Sequence, residues 1–162
     1  MLLMALDTAT LVSSVALTTE DTLVAELTVQ TRKTHSEMLV PHIKEILSMA
    51  GAKKTDLEAI AVSVGPGSFT GLRIGLATAK ALAYALHIPL VGVSTLAALA
   101  ANCPVPGVKL VPLLDAQQRN VYQALYTWRD GRLIEQQPAV VRPLTAVLAD
   151  FDGRDCPVLM FG

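Results

Sequence analysis

The chain has 162 residues and a net charge of −1, with 52% hydrophobic residues and only 17% charged ones, against about 25% charged in an ordinary soluble domain. A chain of this length buries about 70% of its unfolded surface, enough for one solid core or two small ones, and the apolar excess has to lie in internal helices or under a partner. The charge argues against a nucleic-acid grip made by this chain alone, and Cys103 and Cys156, without paired spacing, argue against a disulfide framework or a cysteine metal cluster and fit a reducing cytosol.

The N-terminus, MLLMALDTAT, lacks a basic region and its apolar run stops at Leu6, so no signal peptide is expected. Leu2–Leu6, Val12–Thr18 and Thr22–Val29 read as three strands, with Glu20-Asp21 at the second turn. Thr34 to Gly51 reads as a helix, opened by the capping box Thr34-x-x-Glu37 and stopped at Gly51. Leu57–Val64 is a fourth strand, Gly71–Leu86 a second helix, Pro89–Val93 a fifth strand and Ser94–Ala101 a third helix capped by Ser94. No Asp, Glu, Lys or Arg lies between Lys80 and Lys109, but His87, Pro89, Gly92, Asn102, Pro104 and Pro106 interrupt that stretch. No uninterrupted 18-residue apolar helix fits, so a membrane span is not expected.

The order then restarts. Val108–Leu114 ends in Asp115 as the first strand ends in Asp7, and Val121–Trp128 and Arg132–Val140 flank the hairpin signal Asp130-Gly131. Pro143–Asp150 reads as a short helix, and Pro157–Phe161 as a buried strand ending in Gly162, as Val64 is followed by Gly65. A βββαβα half over residues 1–107 and a βββαβ half over 108–162 read as an internal duplication, the second half stopping before its last helix.

The segment AIAVSVGPGSFTGLRIG, Ala59–Gly75, is a strand, a glycine-rich turn and the start of an apolar helix. The Walker pattern requires Lys after its last glycine, and here Leu72 and Arg73 follow Gly71. The dinucleotide pattern finds Thr70 in its third glycine place and no acidic residue about 20 residues on. Backbone amides at the start of the helix still offer weak anion binding, with Gly67, Ser68 and Thr70 as the candidates. Ser68 or Thr70 equally serves as the helix cap. Asp7 reads either as a carboxylate bonded to the amides of its own turn or as a nucleotide-related group. Ser36, Ser63, Ser68 and Ser94 have no evident His–Asp pairing, and GPGSFTG is not a nucleophile elbow.

Two helices carry the positive signal. On the second, Arg73, Ala77, Lys80, Tyr84 and His87 form one narrow polar stripe and apolar residues cover the rest; on the first, Met38, Leu39, Ile43, Ile46, Leu47 and Ala50 make a wide apolar face. Gly71, Gly75 and Ala79 permit close helix approach. Internal core and a helix-to-helix protein interface both account for these faces. Leu39, Ile43, Ile46, Leu76, Ala79 and Ala83 are the interface candidates.

VGPGSFTGLRIG, together with THSEMLVPHI and PLLDAQQRNVYQALY, resembles the TsaB (YeaZ) family, partner subunits in forming threonylcarbamoyladenosine on bacterial tRNA. The resemblance implies an α/β fold of the duplicated ribonuclease-H-like architecture shared by actin, sugar kinases and Hsp70 chaperones. It implies a non-catalytic, cytoplasmic subunit that activates a TsaD-type threonylcarbamoyl transferase by dimerisation. A TsaE-type ATPase joins them, homodimers form in the transferase's absence, tRNA is met only through the complex, and ATP or ADP at the joint is left open. TsaD-type relatives carry two His at i and i+4, where this chain has His35 and Leu39. His42 cannot replace the second ligand: seven helical residues span about 10.5 Å, whereas two nitrogens on one ion lie within about 4.2 Å. No metal site is expected. Family members usually show Arg and Glu where Gln117-Gln118-Arg119-Asn120 stands, which sets the Asp115–Tyr122 segment apart. The alternative is a nucleotide-dependent enzyme of the same superfamily, a kinase, ATPase or metallopeptidase.

Overall fold

Alternating burial along the strands builds the first sheet of the computed structural model, which describes residues 1–30, 35–151 and 157–162, with the backbone alone at 35–37. The expected Thr34–Glu37 capping box, the His35 side chain and Cys156 therefore lie outside the described residues. Contacts divide the chain into two units, Met1–Val93 and Ser94–Gly162.

In the first unit, β1 (Leu3–Asp7), β2 (Val12–Thr18), β3 (Leu23–Gln30), β4 (Ala59–Gly65) and β5 (Leu90–Ser94) form one sheet in the order β3-β2-β1-β4-β5. β1 runs antiparallel to β2, with Met4 opposite Leu17, and parallel to β4, with Met4 opposite Ile60. That register puts Met4, Leu6, Val15, Leu17, Ile60 and Val62 on one face. α1 (His35–Met49) and α2 (Phe69–Leu86) cover that face together, closing one core with Leu39, Ile43, Ile46, Ala79 and Ala83.

This packing corrects the choice of interface residues. Leu39, Ile43, Ile46, Ala79 and Ala83 are at most 6% exposed and belong to the unit's own core, and Leu76 is half-buried against it. The reason is helical period: 39, 43 and 46, like 75, 79 and 83, recur every three to four residues and face the sheet. Among the described side chains, the outward stripe of α1 is Val40, Pro41, Lys44, Glu45, Ser48 and Met49.

In the second unit, β6 (Lys109–Asp115), β7 (Asn120–Arg129), β8 (Arg132–Pro143) and β9 (Val158–Phe161) take the order β8-β7-β6-β9, with β6 antiparallel to β7 and parallel to β9. This repeats the first sheet one strand short, the duplicated ribonuclease-H-like α/β architecture read from the sequence. α3 (Thr95–Ala101) packs Leu96 and Ala100 against Leu110, Ala124 and Tyr126. The element order placed α3 in a first half ending at residue 107; by contact the division falls after Val93. Burial raises the Tyr126 hydroxyl's pKa, the Ser94 hydrogen bond works against that, and Glu135 adds to it. α4 (Leu144–Phe151) packs Val147 with Val111 and Leu125. Pro143 ends β8, opposite Asn120, rather than opening the helix, and Pro138 lies where the β7–β8 register shifts, on an edge strand that tolerates a missing donor.

Leu39→Ala or Ile60→Ala should lower unfolding free energy by about 2–5 kcal/mol in urea titrations, through the cavity each leaves. Val40→Ala, on the outer stripe, should stay within about 0.5 kcal/mol.

Candidate functional site

The glycine-rich segment forms a seat, and the protein's own β1–β2 turn occupies it. Asp7 Oδ1 accepts the Ala9 amide at 2.7 Å, which shapes the turn. The turn then meets the loop through two hydrogen bonds and a set of close backbone approaches. Ala9 O accepts the Ser68 amide at 2.6 Å. Thr8 Oγ1 donates to Gly71 O at 2.8 Å, with Thr8 only 1% exposed. Thr8 O lies directly against Gly71 and Thr8 Oγ1 against Gly75, so that a Cβ at either glycine would collide with the turn. Ala9 O bars a Cβ at Gly67 in the same way. Gly71 and Gly75 therefore do serve a close approach, but to this turn rather than to another helix.

Ser68 is the N-cap of α2, its Oγ accepting the Gly71 amide at 3.2 Å. The sequence named Ser68 or Thr70 for that role; Thr70 is exposed in the first turn. Asp7, Gly67 and Ser68 are thus brought together, while Thr70 stands apart from their contacts. Two carbonyl oxygens, of Thr8 and Ala9, line the glycines where a phosphate loop presents N–H donors to an anion. Capping at Ser68 also makes Phe69 the first helical residue, two residues before the start read from the sequence.

The opposite face of α2 is open. Phe69 is 68% and Tyr84 83% exposed, and Arg73, Ala77 and Lys80 lie exposed between them. The Arg73 guanidinium carbon sits 3.7 Å from the centre of the Phe69 ring, in cation–π geometry. The Tyr84 and His87 rings are 6.4 Å apart and tilted. The polar stripe read from the sequence thus faces outward, and Phe69 extends it. Sequence reasoning missed Phe69 and the buried Thr8. Placing the cap at Ser68 would have found the first, and the four-residue spacing of Gly67, Gly71 and Gly75 the need for the second.

The second unit repeats the turn: Asp115 Oδ1 accepts the Gln117 amide at 2.8 Å. Its next residues are strained, with φ of 65°, 52° and 64° at Gln117, Gln118 and Arg119, each costing about 1–3 kcal/mol. Bonds from Ala116 N to Asn120 O and from Leu144 N to Arg119 O hold them. An open groove beside this turn is lined by Asp115, Arg119, Asn120, Leu144, Thr145 and Gly162. Among the described residues, no three His, Cys, Asp or Glu side chains stand where they could share a metal ion, and no helix is long and apolar enough to cross a membrane.

Residues 23–150 match the family model described as TsaD, tRNA N6-adenosine threonylcarbamoyltransferase. The chain is 39% identical to the tRNA threonylcarbamoyladenosine biosynthesis protein TsaB of Bacillus subtilis, covering 100% of this chain and 71% of that protein. It is 37% identical to the TsaB of Escherichia coli, over 88% of this chain and 63% of that one, so it spans about two thirds of these relatives' length. A crystal structure from Pseudomonas aeruginosa, described as similar to peptidase YEAZ, superposes with a TM-score of 0.87 at 30% identity, over 98% of this chain and 74% of that one.

The turn-to-glycine contact makes a sharp prediction. Gly75→Ala should destabilise the chain by about 1–3 kcal/mol, and Thr8→Ala should relieve part of that cost because it removes the colliding hydroxyl. Gly71→Ala should be as damaging with Thr8→Ala as without it, since its collision is with the Thr8 backbone. A double-mutant cycle in urea reads both couplings.

Proposed function

The chain belongs to the TsaB family, and we propose that it acts in tRNA threonylcarbamoyladenosine biosynthesis as a non-catalytic partner subunit that activates a TsaD-type transferase by pairing with it. The observation that carries this reading is the closed glycine seat. A phosphate-binding loop at a helix N-terminus keeps its amides free for the anion. Here the Ala9 carbonyl takes the Ser68 amide, Ser68 Oγ takes the Gly71 amide, and the buried Thr8 hydroxyl is bonded to the Gly71 carbonyl. The one carboxylate of the turn, Asp7, is bonded to its own backbone.

The open α2 stripe supports the pairing half of the reading. Aromatic residues and Arg dominate the centres of protein interfaces, and Phe69, Arg73 and Tyr84 stand exposed on one helix face. In this reading the outer stripes of α1 and α2 form one side of a helix layer, and the transferase supplies the other. A TsaE-type ATPase joins the pair, a second copy of the chain takes the face when the transferase is absent, and tRNA is held by the complex. The work is cytoplasmic, and any ATP or ADP at the joint is held chiefly by the partner.

Reconstitution tests this. Transferase, ATPase, tRNA, ATP and the threonylcarbamoyl donor should yield modified tRNA only when this chain is present. Asp7→Asn should leave the yield within about twofold, because Asn keeps the acceptor that shapes the turn. Steady ATP turnover by the purified chain alone, lost in Asp7→Asn, would replace this reading with a nucleotide-dependent enzyme.

A further inference from the structure

The charge on the α2 face is one-sided. From Ala59 to Leu114 the chain contains no Asp or Glu, so α2 carries two cations, Arg73 and Lys80, and no anion. Both cations are exposed on the stripe that Phe69 opens and Tyr84 closes, about 22 Å long at the helical rise. Among the described residues the ion pairs join the N-terminus to Glu58 and Arg142 to Asp150, and neither involves α2. Arg73 has an aromatic ring for company, and among the described residues Lys80 has no ion-pair partner. Among the described side chains, the outer stripe of α1 adds Lys44 and Glu45, which cancel.

From this we infer, resting on the pairing read above, that the α2 face selects a partner whose facing helix carries carboxylates opposite Arg73 and Lys80. A cation drawn into an interface without a counter-charge is costly, and one that meets a carboxylate gains both affinity and orientation. An isologous contact between two copies repeats the same surface on both sides, so α2 stripes meeting each other bring like charges together. The second copy is therefore the weaker occupant of this face. RNA is the weaker one too. Two fixed cations neutralise about two phosphates, far below the six to ten of a firm nucleic-acid grip. Phe69 and Tyr84 at the ends of the stripe suit a packed helix, with Arg73 held against the Phe69 ring by their contact.

The test measures the Kd between the full chain and the TsaD-type transferase in 50 mM and 500 mM salt, with circular dichroism to confirm folding. Arg73→Glu and Lys80→Glu should each weaken binding about tenfold or more, Arg73→Lys should recover most of the loss, and high salt should weaken the wild type. Self-association, followed by sedimentation, should be no weaker in the two charge reversals. Phe69→Ala and Tyr84→Ala separate the possible failures. If these weaken binding while both charge reversals bind as wild type, the face docks the partner but its charge selects nothing, and the inference falls alone. If all four variants bind as wild type, the pairing reading falls and takes the inference with it. Reversals that spare transferase binding but abolish salt-dependent tRNA binding by the chain alone would overturn the inference in favour of a nucleic-acid face.

Discussion

The contact of the β1–β2 turn with the glycine face of α2 governs the first unit. Thr8 is buried with its hydroxyl bonded to Gly71 O, and its carbonyl rests on the Cα of that glycine. Backbone can approach helix this closely only where no Cβ intervenes. The contact sets how deep α2 sits and how it is rotated about its axis. Rotation in turn decides which residues reach the sheet and which reach solvent. With Gly71, Gly75, Ala79 and Ala83 turned inward, Phe69, Arg73, Lys80 and Tyr84 have to turn outward.

One steric requirement thus has two structural consequences. It seats the β1–β2 turn on the glycines of the loop, and it presents an aromatic and cationic stripe on the far side of the same helix. The apolar excess in the composition divides between the two. Most of it is spent inside, where α1 and α2 bury Leu39, Ile43, Ile46, Ala79 and Ala83. Of the large hydrophobic side chains left exposed, Phe69 and Tyr84 stand on α2 and Val40 and Met49 on α1.

The fold was largely legible in the residues. Strand alternation, the Asp130-Gly131 hairpin and the parallel between Asp7 and Asp115 revealed the duplication, because each rests on local chemistry. Orientation of the helices was not legible. Both carry more apolar surface than one sheet contact needs, so periodicity alone left several stripes eligible, and the chosen one proved to be core. The deciding term is a non-local contact between residues 63 positions apart, Thr8 and Gly71. Glycine spacing hinted at a close neighbour but could not name it. The boundary between the halves was obscured for a related reason: α3 follows the first half in sequence but packs Leu96 and Ala100 on the second sheet.

The central claim is that this chain works by presenting the outer face of α2 to a transferase partner. A photo-reactive amino acid placed at Tyr84 in the reconstituted complex tests it most directly. The account predicts that light joins the chain covalently to the transferase at that position, in high yield and only while the complex is assembled. A complex that supports threonylcarbamoyladenosine formation yet gives no cross-link from Tyr84 or Phe69, while the same probe at Asp130 on the β7–β8 hairpin captures the transferase, would contradict it.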